Sequence, residues 1–255
     1  MPGLLLPLLL ADLLLACLGY KPKRPHPDIP VLFLDIDNTL YHPNSGISFL
    51  MGRNIDCYFR KHLTHMTDLE RNRLHSQYFM EYGLSVRGLI LHHQVDPYDF
   101  EREVDSCLPL EHLIFPDERL RRMLLHCKGP RLWAFTNAGL YHASRVLHIL
   151  GIQDLIEGIT WCDYGAPENE WTCKPDPKSF EKAMKEAGQP DPSKCFLVDD
   201  SPKNCTAAMT LDWAGSIYVM HDKERDQGVG TAQIRSIYDL PRALPQFWVG
   251  SKTET

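Results

Sequence analysis

Near-continuous apolar runs alternate with amphipathic stretches along most of this chain. Val31 to Ile36 (VLFLDI), Leu132 to Phe135, Cys195 to Val198 and Ser216 to Met220 are short apolar runs ended by polar or turn-forming residues. That is the pattern of strands buried on both faces. Gly158 to Trp161 reads as a further short strand, and Ile234 to Leu240 is open between strand and helix. Ala138 to Leu150, Pro177 to Ala187 and Pro202 to Met209 read as helices, the second opened by an Asp176 cap with proline at its first position. Asp117 to Cys127 is another helix, punctuated by Pro130. Strand and helix in turn predict an α/β fold, a parallel sheet covered by helices on both faces.

Two segments break this rhythm. From about Ile47 to Ser106, apolar residues recur at three and four spacing, with Thr67, Asp68 and Asp96 as possible N-caps. This is a helical block inserted between the first and second strands. At the other extreme, Leu4 to Leu18 (LLLPLLLADLLLACL) is apolar and is followed by Lys21, Lys23 and Arg24. No cation precedes the run and its small-residue cleavage pattern is poor, which argues against a signal peptide. It falls short of the ~20 residues a bilayer requires, Pro7 interrupts it, and Asp12 costs about 2.5 to 3.5 kcal/mol on insertion. A weak membrane anchor and a loosely ordered extension both remain open for residues 4–18. The expected organisation is a Leu-rich segment and Pro-rich basic linker over 1–30, an α/β core over 31–42 and 116–246, an inserted helical cap over 43–115, and a tail over 247–255.

Composition narrows the partners. The 255 residues carry 27 Lys plus Arg against 33 Asp plus Glu, a formal charge of -6, with no basic block to track a phosphodiester backbone. Duplex nucleic acid is not the expected partner, and a phosphate ligand needs local neutralisation by placed cations or a metal. The eight cysteines, at 17, 57, 107, 127, 162, 173, 195 and 205, form no CxxC pair and no zinc-like spacing. They read as reduced thiols in a cytoplasmic protein.

The candidate chemistry sits where an open parallel sheet places its active site, beyond the carboxyl ends of its strands. Asp35, Asp37 and Thr39 follow the first strand, Thr136 the second, and Asp199 with Asp200 a third; Lys174 lies in WTCKPDP just before a helix. Taken singly, DxDxT also fits a calcium-type loop or a helix cap, Thr136 and the acidic pair fit caps, and Lys174 fits a solvated lysine. Independent caps have no reason to occur in this order. Four carboxylates at neighbouring strand ends repel, so a divalent cation or a protonation shift is required. Carboxylate oxygens without His or Cys beside them suit Mg²⁺.

FLDIDNTLY, AFTNA, CKPDP and FLVDDS resemble the four signature motifs of the haloacid dehalogenase (HAD) superfamily, across roughly Val31 to Leu240. YGLSVRGLILHHQVD, VDSCLPLEHLIFPD and GITWCDY are similar to its fungal pyrimidine 5′-nucleotidase group. The resemblance implies a HAD-like Rossmannoid sheet and a Mg²⁺-dependent phosphatase. Asp35 would be the nucleophile and Asp37 the general acid and base, the second aspartate that marks phosphatases and mutases. Asp35, the Asp37 carbonyl and the pair Asp199 and Asp200 would hold Mg²⁺, with Asp200 the more direct ligand. Thr136, Asn137, Asn38 and neighbouring amides would hold phosphate oxygens, and Lys174 would neutralise phosphate and nucleophile. Thr39 is expected in support, and Asn204 in place of the acid that steadies the lysine in many relatives.

On the cap, Arg87 and His92 are the candidate leaving-group contacts, with His42, Asn44, His93 and Tyr82 beside them, although each also fits ordinary packing. Metal binding by His62 with His65, or by His92 with His93, lacks further ligands at suitable spacing. The substrates the resemblance implies are UMP and CMP. Alternatives are another small phosphomonoester, such as a sugar phosphate, a pyridine mononucleotide or lysophosphatidate, and an inactive HAD-fold scaffold.

Overall fold

The computed structural model describes residues 26–221 and 228–248. Six strands, β1 (Val31–Leu34), β2 (Arg131–Phe135), β3 (Ile159–Thr160), β4 (Cys195–Asp199), β5 (Gly215–Val219) and β6 (Ala232–Ile234), form one sheet in the order β3-β2-β1-β4-β5-β6, with every pairing parallel. The apolar runs are continuous because alternate residues enter different cores. On β1, Leu32 and Leu34 pack into the larger core while Val31 and Phe33 pack into the one on the opposite face; Leu132 and Phe135 of β2 divide the same way. Phe33 is fully buried against Trp213, ring centroids 4.8 Å apart. Burying such a side chain contributes roughly 1.5 to 3 kcal/mol.

The stretch from Ile234 to Leu240 resolves into both alternatives. β6 ends at Ile234, and a 3₁₀ turn over Ile237–Asp239 leads into a short helix, Leu240–Ala243. The expected tail begins too early at 247. Phe247 and Trp248 are buried in the larger core, and the Trp248 indole donates to the Met123 carbonyl at 2.9 Å. The seven described cysteines are free thiols. Among the described residues no helix is long and apolar enough to cross a membrane; the Leu4 to Leu18 run lies outside them.

The block between β1 and β2 is helical: α1 (Ile47–His62), α2 (Asp68–Tyr82), α3 (Ser85–His93) and α4 (Pro97–Phe100), which continues as a π turn over Glu101–Asp105. Thr67 caps α2 in a reciprocal capping box with Glu70, and Asp68 is the first helical residue, bonded to Arg71 at 2.6 Å. Asp96 caps α4. These helices enclose a separate apolar cluster including Tyr58, Phe59, Tyr78 and Leu89, to which the core loops add Cys162, Tyr164 and Cys173. Gly88 lets α3 lie against α2, because a Cβ there would meet the Tyr78 ring at 2.1 Å.

After the insertion come α5 (Glu118–Leu125), α6 (Leu140–Ile149), α7 (Pro177–Glu186) and α8 (Pro202–Thr210). Asp117 caps α5, Asp176 caps α7 and Ser201 caps α8. β1 lies between β2 and β4, so strand order reverses at its end. That is the crevice where open α/β sheets bind ligands.

Candidate active site

Polar residues end the apolar strands at this crevice, and the sheet carries them to one place. The Asp35 amide donates to the Val198 carbonyl at 2.9 Å, extending the β1–β4 pairing by one residue. Asp35 is 6% exposed, and Thr39 Oγ1 donates to its Oδ2 at 2.9 Å. Lys174, also buried, donates through Nζ to Asp35 Oδ1 (2.8 Å), Asp199 Oδ2 (2.6 Å) and the Phe135 carbonyl (2.7 Å). All three of its protons are used. The solvated-lysine alternative is therefore excluded.

The loop that delivers Lys174 is latched by Asn137, whose Nδ2 donates to the Lys174 carbonyl at 2.8 Å and whose Oδ1 accepts from the Lys174 amide at 2.7 Å. One proton of its amide and one lone pair are committed to this latch, and Asn137 also lines the cavity above the site. Thr136 Oγ1 accepts from the Ala138 amide at 3.0 Å, which leaves its own proton to donate.

Burial raises Asp35 well above the ordinary carboxylate value, Lys174 opposes this, and Asp199 with Asp200 add to it. Asp199 is likewise raised, first by burial. For Lys174 burial works downward, but the two carboxylates outweigh it and hold the ammonium charged. Carboxylate oxygens of Asp35, Asp199 and Asp200 lie within 4.8 Å of one another, the only such His, Cys or acidic cluster among the described residues. An all-oxygen donor set that strains its own charge fits a hard divalent cation. Asp199 Oδ1 accepts from the Ser201 amide and from Asn204 Nδ2, both at 2.9 Å, while its Oδ2 holds Lys174. Its oxygens are committed; Asp200, half-buried, has more to offer. Asn204 was expected to steady Lys174. It reaches Asp199 instead and acts on the lysine only through that carboxylate.

Asp37 is held differently. Tyr41 Oη donates to its Oδ1 at 2.5 Å, and His142 Nε2 lies 2.7 Å from the same oxygen. Burial raises Asp37, but His142 and Tyr41 outweigh it and leave the carboxyl below its ordinary value. His142, fully buried on α6, is lowered by burial and raised by Asp37 and Asp105, with a net rise. Each group thus favours the charged form of the other, against the burial of both. Sequence reasoning missed both partners. Nothing in LYHASRVLH distinguishes His142 from His148 until the phase of α6 against β1 is known.

A cavity of about 810 Å³ opens over these groups. Asp35, Asp37, Asn38, Thr136, Lys174 and Asp200 line its floor; Phe79, Met80 and Tyr82 from the last turn of α2, with Trp171, form the facing wall. Arg87 and His92 do not line it. Arg87 is 5% exposed with its guanidinium 5.0 Å from the Trp171 ring centre, and His92 bonds the Tyr82 hydroxyl at 2.9 Å. His42 is stacked edge-on against His221, and His62 is stacked on Tyr58. The wall is mainly aromatic and apolar, with Glu81 among its residues, and of the cap candidates Tyr82 is there while Arg87 and His92 are not.

A parallel sheet with its order reversal at a DxDxT strand end, a buried lysine and an acidic pair is the arrangement of a HAD-type hydrolase. Residues 29–210 match the haloacid dehalogenase-like hydrolase family, and the chain belongs to it. Its first motif carries a second aspartate, Asp37, two residues after Asp35. The chain is 39% identical over 211 residues to phosphate metabolism protein 8 of Saccharomyces cerevisiae, covering 79% of this chain and 65% of that protein, so the chain spans about two thirds of the relative's length. Among solved structures it resembles a HAD phosphatase from Thermococcus onnurineus (TM-score 0.56, 20% identity, 85% of this chain and 98% of that one). It also resembles a 2-haloacid dehalogenase from Pseudomonas syringae (TM-score 0.52, 18% identity, 86% and 99%). One fold carries both chemistries in those proteins, so the reaction has to be argued from the site.

Proposed function

We propose that this chain is a Mg²⁺-dependent phosphomonoester hydrolase acting on pyrimidine nucleoside 5′-monophosphates, UMP and CMP, through an aspartyl-phosphate. The observation that carries the reading is the Lys174 bridge between Asp35 and Asp199 with Asp37 beside it on the cavity floor. An Asp35 oxygen attacks phosphorus while the bond from phosphorus to the ester oxygen breaks, and Asp37 passes a proton to the departing alkoxide. Asp37 then takes a proton from water, whose oxygen attacks the same phosphorus and breaks its bond to Asp35. Lys174, Thr136 and the amides after β1 and β2 offset the charge on the transferring group. Asp35, Asp200 and the Asp37 carbonyl, with Asp199 behind them, would hold the cation, which supplies further neutralisation of phosphate charge.

The leaving group is read by the wall. Phe79, Tyr82 and Trp171 offer aromatic faces at the cavity, which supports a planar base as the group they meet. A second reading, a more apolar phosphomonoester such as lysophosphatidate, is favoured by the lip, where Phe79 is 54% and Met80 70% exposed. Phosphate release from nucleoside monophosphates, sugar phosphates and lysophosphatidate, with Mg²⁺ and with EDTA, tests both. UMP and CMP are expected to lead and EDTA to silence the enzyme. Turnover surviving EDTA would overturn the metal assignment, and preference for another class would overturn the base.

A further inference from the structure

The bonds to Asp37 are more than local packing, because both converge on one atom. Tyr41 Oη and His142 Nε2 reach Oδ1, at 2.5 and 2.7 Å, and neither touches Oδ2. The three groups come from two parts of the fold: Asp37 and Tyr41 from the turn after β1, His142 from α6 beyond β2. His142 has no exposed surface and Tyr41 is 8% exposed, whereas the Asp37 side chain is 24% exposed and lines the cavity. One end of the carboxyl is thus anchored in the core. The other carries neither of these bonds.

The anchor is itself braced. Arg145, one turn after His142 on α6, donates to the carbonyls of Ser106 and Leu108 at 3.1 and 3.0 Å and to Glu111 at 2.8 Å. These residues lie where the helical insertion returns to the core. The tautomer of His142 that carries its proton on Nε2 donates to Oδ1. A carboxyl free to rotate about its last torsion would present either oxygen in a broad range of orientations. Two donors on Oδ1 remove that freedom.

We propose that His142 and Tyr41 are positioning residues that fix the Asp37 carboxyl through Oδ1 and so commit Oδ2 to proton exchange with the leaving oxygen and the attacking water. This rests on the role given to Asp37 under the proposed function. Neither residue touches substrate; both act by holding the acid within reach of the ester oxygen, where misplacement by about 1 Å costs on the order of 10²-fold.

Leaving-group dependence separates positioning from general structural support. An alkyl phosphomonoester needs a proton delivered as its bond breaks, whereas p-nitrophenolate departs without one. Tyr41→Phe keeps the ring and removes only the hydroxyl, and His142→Leu removes the second donor while His142→Gln restores an N–H near the position of Nε2. Turnover would be measured on whichever alkyl phosphate of the panel the natural enzyme hydrolyses best. The nitrophenolate burst, which reports formation of the aspartyl-phosphate, would be followed by rapid mixing.

Tyr41→Phe and His142→Leu are expected to lower kcat on the alkyl ester by roughly 10- to 100-fold. KM should stay within about twofold and the burst rate within about threefold. His142→Gln should recover most of the loss. Because Tyr41→Phe spares the core, its result stands even if His142→Leu does not fold. Unchanged kcat on the alkyl ester, or an equal fall in the burst rate, overturns the positioning role. A natural enzyme that hydrolyses neither substrate overturns the phosphatase reading beneath it, an outcome distinct from either.

Discussion

On and beneath the floor of the cavity, Asp35 and Asp199 are buried and share Lys174, and Thr39, Ser201 and Asn204 fill the remaining oxygens. On the facing wall, Phe79 and Met80 stand more than half exposed on the last turn of α2 and no polar partner fixes them. The difference is one of tolerance. A charge buried among charges keeps its geometry only if every member is present, because the low dielectric that strengthens the pairs also makes an orphan costly. A solvent-facing apolar surface can change side chain by side chain at small cost to the fold. Chemistry therefore belongs to the rigid side and selectivity to the permissive one, and substitutions on the two sides should differ in kind as well as in size.

The largest effect is expected at Asp35. Asp35→Asn preserves shape and removes the nucleophile, so phosphate release should fall by on the order of 10⁴-fold or more. Far-UV circular dichroism should be unchanged. Residual turnover within about tenfold of the natural enzyme would sink the covalent route. Lys174→Met comes next, and its effect should also appear in stability. Removing the ammonium leaves Asp35 and Asp199 buried without their shared partner, a change that typically costs about 3 to 5 kcal/mol. Urea unfolding measures this directly. A loss under about 1 kcal/mol would mean the floor is wetter and looser than these distances imply.

At the end of the insertion, outside the cavity lining, lies Asp105, 2% exposed and accepting from the Tyr164 hydroxyl at 2.9 Å. Burial lifts its carboxyl to about 6. Its folded value lies above its unfolded one, so its contribution to stability is full below pH ~4 and is lost as pH rises through ~6. Two pH units of displacement correspond to about 3 kcal/mol. Asp105→Asn keeps an acceptor for Tyr164 and should flatten stability against pH between ~4 and ~6.5. If the slopes of variant and natural protein coincide, burial does not raise the Asp105 carboxyl.

The two sides also differ in how far the sequence reveals them. Asp35, Asp37, Thr136, Lys174 and the acidic pair interrupt or follow apolar strands, and a parallel sheet gathers its strand ends whatever the details, so their assembly follows from order along the chain. Partnership within the assembly does not. Asn204 holds Asp199 and not Lys174, Asn137 latches a loop, and His142 meets Asp37 from α6. Each depends on the phase of a helix or loop against the sheet, a matter of about 100° per residue that composition does not carry. The cap shows the same limit more strongly. Arg87 and His92 had the right chemistry for recognition, yet α3 turns Arg87 inward beneath Trp171 and leaves His92 on Tyr82. Tyr82, named beside them, does line the cavity, whereas Phe79 and Met80 looked like core or surface.

The smallest effect in this series bears on that wall. Phe79 is 54% exposed, so Phe79→Ala should change stability by no more than about 0.5 kcal/mol. If its ring covers the base of a bound nucleotide, truncation forfeits roughly 1 to 3 kcal/mol of stacking, a rise in KM for UMP of about tenfold with kcat little changed. Ribose 5-phosphate, which carries the phosphate and sugar without the base, should show no such rise, because floor contacts are the same in both. Equal rises for the two substrates would place the ring over the sugar or at the cavity mouth. No rise for either would remove α2 from recognition and leave Trp171 as the aromatic face to test.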